Sequence, residues 1–184
     1  MSLLLRWLVL AMAMLSPAVQ AESAAETAAA YFDALRQRDY ARAAAYFDPV
    51  ALQEFRDTTS FVSELPPAMQ REFLVTFFGA TATAEKVEAL SNAERFAAFL
   101  RVVMESAPGV VFQGVTVIGE VPEGEDMRHV VTRSRLSANG VELDAVEVIS
   151  FRRADGKWRV LMSGKMKGLA AQVRAAFRRP PAER

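Results

Sequence analysis

The chain has 184 residues, 22 basic against 22 acidic side chains, one histidine and no cysteine. Balanced charge gives no electrostatic reason to expect nucleic acid. The absence of cysteine removes disulfides, thiol catalysis, thiolate metal sites and a lipidated-cysteine anchor. A lone histidine without an acidic cluster leaves no metal-ligand set, so neither a metal nor another cofactor is expected.

The first element is MSLLLRWLVLAMAMLSPAVQA. Arg6 supplies a positive start, Trp7 to Leu15 an apolar stretch, Pro17 a break, and Val19-Gln20-Ala21 a cleavage site. That order predicts a secretory signal peptide over residues 1–21. The apolar run is shorter than the roughly 20 residues a membrane span needs. Cleavage after Ala21 removes Arg6 and no acid, leaving 21 of the 22 basic residues against 22 acidic ones. Secretion without disulfides predicts a periplasmic or otherwise secreted protein. The mature chain then divides into one domain over 22–164 and a basic tail over 165–184.

From Ala24 to Ser106 the apolar period is helical. Ala28, Tyr31, Phe32 and Leu35 share one face, and Tyr40, Ala43, Ala44 and Phe47 repeat the spacing behind Asp39, a helix cap. Asp48-Pro49 reads as another cap with proline at the first helical position, sending Leu52, Phe55 and Val62 inward until Pro66-Pro67. Met69, Phe73 and Phe77 mark a further helix, stopped at Gly79. Ser91 and Glu94 form a capping box ahead of the stripe Phe96, Phe99, Leu100 and Val103. Pro108-Gly109 ends the helical half.

Beyond Gly109 the period becomes two. Val110–Val121, Met127–Ala138, Val141–Arg153 and Trp158–Ser163 read as four antiparallel strands. Helices followed by strands predict an α+β fold, with the helices on one face of a curved four-stranded sheet. The tail KMKGLAAQVRAAFRRP predicts a last amphipathic helix, with Leu169, Val173 and Phe177 on its apolar side.

The turns assign the sheet faces. Asn139-Gly140 predicts a two-residue hairpin that sets Thr132 opposite Glu147, Ser134 opposite Ala145 and His129 opposite Ser150. One face collects Val130, Thr132, Ser134, Leu136, Leu143, Ala145, Glu147, Ile149 and Phe151, and a second hairpin at Asp155-Gly156 adds Trp158, Val160 and Met162. The large apolar groups make this the helix-covered face. The other face takes His129, Val131, Arg133, Arg135, Glu142, Asp144, Val146, Val148 and Ser150, with Arg135 across from Asp144. His129 therefore falls on the polar side, as an ordinary surface residue. Glu147 falls on the covered side among small residues, where burial would raise its pKa unless a helix cation such as Arg36 pairs with it.

Two stretches resemble the nuclear transport factor 2-like (cystatin-like) superfamily. In AAAYFDALRQRDYARAAAYFDP, an aromatic and Ala-Leu precede a polar turn with aspartate, and an alanine-phenylalanine pattern ends the second helix. VEVISFRRADGKWRVLMSG resembles the superfamily's closing hairpin. The resemblance implies a cone, in which a bent antiparallel sheet wraps helices around a pocket. It also implies pairing of two copies through the open sheet face, here around Val131, Val146 and Val148. The superfamily holds ketosteroid isomerase-like and polyketide cyclase-like enzymes as well as non-enzymatic binding domains. The isomerase's helix-one tyrosine matches Tyr31, whereas its general-base aspartate has no match, because DPVALQEFRD is helical in pattern. The order Trp158-Arg159-Val160, then Gly168-Leu169, Arg174 and Phe177, is similar to the C-terminal end of periplasmic phospholipid carriers.

These readings lead to a non-catalytic binding domain for a small hydrophobic or lipid-like ligand, with Glu147, Thr132, Ser134 and Tyr31 as ligand-binding residues and no catalytic residue assigned. A lyase or isomerase with Glu147 as base is the alternative. A further alternative is an envelope interaction module that touches a membrane surface or a partner through the basic C-terminal helix.

Overall fold

The structure, a computed structural model, describes residues 22–105 and 110–164, with Gly168 and Ala175 beyond them. The signal peptide expected over 1–21 lies outside the described residues, as do the Pro108-Gly109 break and nearly all of the expected C-terminal helix. Among the described residues no helix is long and apolar enough to cross a membrane.

Helix α1 spans Ala24–Arg36. It opens with a reciprocal capping box, in which the Ser23 hydroxyl accepts from the Glu26 N–H at 3.1 Å and the Glu26 carboxylate accepts from the Ser23 N–H at 2.7 Å. A tight turn with Arg38 at positive φ leads into α2, Tyr40–Ala45, capped by Asp39. Helix α3, Pro49–Thr59, starts on the Asp48 cap with proline at its first position, and a 3-10 turn over Ser60–Glu64 follows. Helix α4 runs Pro67–Phe78 and stops at Gly79, whose φ of 102° suits only glycine. Helix α6, Asn92–Glu105, opens on the Ser91–Glu94 capping box.

Between them lies α5, Ala84–Glu88, a five-residue helix. It is too short to show an apolar period, and only Val87 is buried, which explains why the sequence pattern did not reveal it. Val103 was expected to face inward and is instead 41% exposed. The helix turns 100° per residue, so the stripe rotates off the core by its last turn.

Strands β1 (Val110–Glu123), β2 (Met127–Ala138), β3 (Val141–Ala154) and β4 (Lys157–Val160) form one antiparallel sheet in that order. The β2–β3 register sets Thr132 opposite Glu147, Ser134 opposite Ala145 and His129 opposite Ser150, as the hairpin arithmetic required. Asn139 and Gly140 carry φ of 51° and 81°, and Asp155 and Gly156 carry 51° and 74°, which are the left-handed pairs of two-residue turns. Register shifts between Phe112 and Gly114 and between Val117 and Gly119 interrupt β1. Such extra residues bend and twist a sheet, giving the curvature that wraps it over the helices.

The main core fills that concavity. Phe32, Phe47, Phe55 and Phe96 from the helices meet Val130, Phe151 and Val160 from the sheet. Aromatic edges lock it, with Phe47 and Phe96 centroids 4.5 Å apart and Phe55 and Phe96 5.0 Å apart. A second cluster, built on Phe61, Phe73, Phe78 and Val87, holds the 3-10 turn, α4 and α5 together. Leu143, assigned by alternation to the covered face, is 49% exposed, like Val141 at the same Asn139-Gly140 end of the sheet.

Candidate functional site

Strand β4 is shorter than its sequence pattern, which predicted Trp158–Ser163. Val160 is the last residue of β4, and its other edge is taken by the incoming chain. Its N–H donates to the Tyr46 carbonyl at 2.9 Å and its carbonyl accepts from the Asp48 N–H at 2.9 Å. Leu161 still donates its N–H to the Ser150 carbonyl of β3 at 2.9 Å, and a cleft opens where Ser163 and Gly164 follow beyond it.

The cleft has a volume of about 340 Å³. Its walls are Tyr31 and Phe32 from α1, Phe47 from the α2–α3 junction, Ile149 from β3, and Val160 and Leu161 at the end of β4. Glu147 on β3 and Ser163 bring polar groups into an otherwise apolar lining. Tyr31 is fixed by its ring, which lies 5.0 Å from the Phe32 ring and 5.6 Å from the Phe47 ring.

Burial holds the Tyr31 hydroxyl far above the ordinary tyrosine range, and the neighbouring Glu147 carboxylate pushes it further in the same direction. Tyr31 is therefore a proton donor throughout the physiological range. Glu147 is half-buried. The cleft thus carries a hydrogen-bond donor and a carboxylate acceptor among aromatic and aliphatic walls, the make-up of a small-molecule site.

Tyr31 and Glu147 line this one cavity. Thr132 and Ser134 stand on the same face of the sheet and are buried, but neither is among the cleft's lining residues. The Thr132 hydroxyl lies 3.4 Å from the Glu147 carbonyl oxygen, a long contact to the backbone rather than to the carboxylate. Arg36 pairs with Asp33 on its own helix at 2.6 Å. Leu161 and Ser163 join the site without a sequence signal, because the β4 pattern continues past the point where the chain leaves the sheet, whereas Phe47 already stood on the apolar stripe of Tyr40, Ala43 and Ala44.

On the opposite face, His129 is more engaged than a plain surface residue. Its Nδ1 is 2.9 Å from the Ser150 hydroxyl and its Nε2 is 2.5 Å from a Glu123 carboxylate oxygen. The three side chains clip β1, β2 and β3 together. Glu123 was not foreseen in this role, since the β1 bulges that reset its register leave no mark in the alternation. The Ser150 backbone is committed to the sheet, facing His129 and accepting from the Leu161 N–H at 2.9 Å.

Among the described residues no group of three or more histidine, cysteine, aspartate or glutamate side chains could hold a metal ion. No protein family is matched by the sequence, and no curated protein matches it. Two solved structures are similar. One is a SEC-C motif containing protein from Rhodopseudomonas palustris, with a TM-score of 0.44, 16% identity and 77% of each chain covered. The other is an NTF2-like protein of unknown function from Prochlorococcus marinus, with a TM-score of 0.28, 18% identity, and 35% of this chain and 56% of that one covered. At these scores the likenesses bear on neither activity nor ligand.

Proposed function

We propose that the chain is a secreted, periplasmic binding domain of the nuclear transport factor 2-like kind, and that its cleft takes one small, largely apolar molecule without converting it. The observation that carries this reading is the apolar cleft of about 340 Å³ with Tyr31 and Glu147 in its lining. That volume is at the lower end of the roughly 300–1,000 Å³ typical of small-molecule sites, and suits a compact ligand better than a two-chain lipid. The ligand's apolar body would displace water from Phe32, Phe47 and Ile149, while a donor on it faces Glu147 and an acceptor faces the Tyr31 hydroxyl.

Native mass spectrometry of the protein purified from a periplasmic fraction tests this. A bound species of small-molecule mass is expected, and it should be lost when Ile149→Trp fills the cleft. A bare protein mass that also fails to take up the neutral apolar probe N-phenyl-1-naphthylamine would remove the reading.

A proton-transfer enzyme is the second reading, favoured by a carboxylate and a protonated phenol in one cavity. The cleft then offers Tyr31 as oxyanion donor and Glu147 as base. We further infer that the outer sheet face meets a second copy of the chain, on the strength of Val121, Val146 and Val148, each more than half exposed there.

A further inference from the structure

A second concavity lies on the helical side, remote from the sheet. It is a groove of about 770 Å³ between the start of α2, the α4–α5 connection and α6. Tyr40, Phe78, Val87, Leu90, Ala93 and Ala97 form its apolar floor. Ala93 and Ala97 stand one turn apart on α6, and their small side chains keep the groove deep.

The charges on its rim are unevenly engaged. Asp39 accepts from the Arg42 N–H at 3.0 Å, and Glu94 accepts from the Ser91 N–H at 2.9 Å and the Ser91 hydroxyl at 2.6 Å. Both acids are therefore occupied as helix caps. Lys86 donates to the Thr81 carbonyl at 3.2 Å. Arg38 and Arg101 have no carboxylate within ion-pair distance among the described residues, and the Tyr40 hydroxyl makes no hydrogen bond there.

All three residues line the groove. Burial raises the Tyr40 pKa and the Glu105 carboxylate adds to the shift, while the Arg38 and Arg101 charges oppose it. The Arg101 guanidinium also runs beside Gly79 at the end of α4. Arg38 holds a φ of 59°, a left-handed conformation that favours glycine and asparagine. This left-handed position closes the C-terminus of α1, where the Asp39 N–H returns to the Ala34 carbonyl at 2.9 Å.

We propose that this end of the groove is a second ligand site, where Arg38, Arg101 and the Tyr40 hydroxyl receive a carboxylate whose apolar body lies along α6. Planar guanidinium donors match a carboxylate in pairs, and the alanine-lined floor excludes a bare inorganic anion as the preferred occupant. The two concavities then differ in polarity, since the cleft presents a carboxylate and the groove presents cations.

Decanoate is the probe, added to isotopically labelled full-chain protein and followed by amide chemical shifts. Saturable shifts are expected at Tyr40, Ala97 and Arg101. Arg38→Asn suits the backbone and Arg101→Gln suits an exposed helix, so the double variant should keep its melting temperature and lose at least about tenfold in decanoate affinity, one charge-assisted pair or more. Decanol, which lacks the charge, should lose less than about twofold. Should the double variant not fold, Tyr40→Phe removes the hydroxyl alone and is expected to weaken decanoate about threefold. Shifts confined to the Tyr31 cleft, undiminished affinity in the folded variants, or tighter binding of decyl phosphate would each overturn the proposal.

Discussion

Arg152 and Asp48, 104 residues apart, form a two-pronged ion pair: Arg152 Nη2 lies 2.8 Å from each carboxylate oxygen and Nε 3.1 Å from one. The Asp48 side chain is fully buried and also caps α3 by accepting from the Val50 N–H at 2.8 Å. Its own N–H donates to Val160. One residue thereby fixes the helix start, the sheet edge and, through the adjacent Phe47, one wall of the cleft.

Replacing Arg152 with methionine leaves that carboxylate buried with only its cap. Removing one partner of a buried pair costs about 3–5 kcal/mol. Because the Arg152 side chain is 42% exposed and water can reach the gap, about 2–3 kcal/mol is expected. Equilibrium urea unfolding measures it, and a loss below about 1 kcal/mol would show the pair to be an ordinary surface bridge.

The hairpin registers were legible because Asn139-Gly140 and Asp155-Gly156 allow little but a two-residue turn, and each turn fixes every pair behind it. Glu147 was legible for the same reason, since face assignment puts it on the covered side, while Tyr31 was legible from the helical spacing of Ala28, Tyr31, Phe32 and Leu35. The cleft itself was not. It depends on Val160 turning its free edge to Tyr46 and Asp48, a long-range contact with no local pattern. The β1 bulges were hidden likewise, since a one-residue shift looks like imperfect alternation. The groove beside Tyr40 needed α5, whose five residues show no period.

Tyr31 gives the protein a dependence on alkaline pH. Its pKa is raised in the folded state, so the folded chain holds this proton more tightly than the unfolded chain. The associated stability is fully present below the unfolded value near 10 and is lost as pH rises toward the folded value. Tyr31→Phe should therefore flatten the decline of stability above about pH 10 and leave it unchanged near neutrality. Circular dichroism of urea unfolding at several alkaline pH values checks this, and parallel declines in both proteins would contradict it.

The Arg95 side chain is 2% exposed and its Nε has no hydrogen-bond partner among the described residues, although its Nη2 reaches the Val87 carbonyl at 2.9 Å and Glu88 at 3.1 Å. Burial alone would raise the Glu88 pKa, but hydrogen bonds and charge from Arg95 and Arg56 outweigh it and hold the carboxyl below its ordinary value. The stability this supplies is present above the ordinary glutamate range and is lost as pH falls through the lowered folded value. Glu88→Gln is expected to destabilise at pH 7 and to lose that penalty in acid. Arg95→Met, which removes the incompletely paired buried charge, should be neutral or stabilising. Thermal melts at pH 7 and in acid compare the two, and a severe loss in Arg95→Met would reverse the argument.

The outer sheet face supports the proposed pairing of two copies by area and by charge. With strands about 4.8 Å apart and about 3.3 Å of rise per residue, the three long strands offer roughly 600 Å² per copy, the low end of stable interfaces. Arg133 and Arg135 on β2 stand across from Val146 and Asp144 on β3, with Arg135 and Asp144 3.5 Å apart within one chain. The face therefore carries both signs, and a two-fold axis can set Arg133 of one copy near Glu142 or Asp144 of the other. Sedimentation velocity should show a dimer at micromolar concentration, and Val148→Glu should convert it to a folded monomer. A monomeric parent chain would end the proposal.

Glu147 separates the binding reading from the catalytic one. If it serves only as an acceptor for a bound ligand, Glu147→Gln keeps an acceptor oxygen and weakens probe binding by less than about tenfold, while Glu147→Ala removes the group and weakens it about 10- to 100-fold. Tyr31→Phe, losing one neutral hydrogen bond, should weaken binding about threefold. If Glu147 is a base, the amide cannot take a proton, and any isomerase or lyase turnover should fall by about 10² to 10⁴ in Glu147→Gln with binding nearly intact. Fluorescence titration with N-phenyl-1-naphthylamine, set beside turnover of an enolisable ketone in the same variants, distinguishes the outcomes. Unchanged binding in both Glu147→Ala and Tyr31→Phe would show that the cleft recognises ligand through its apolar walls alone.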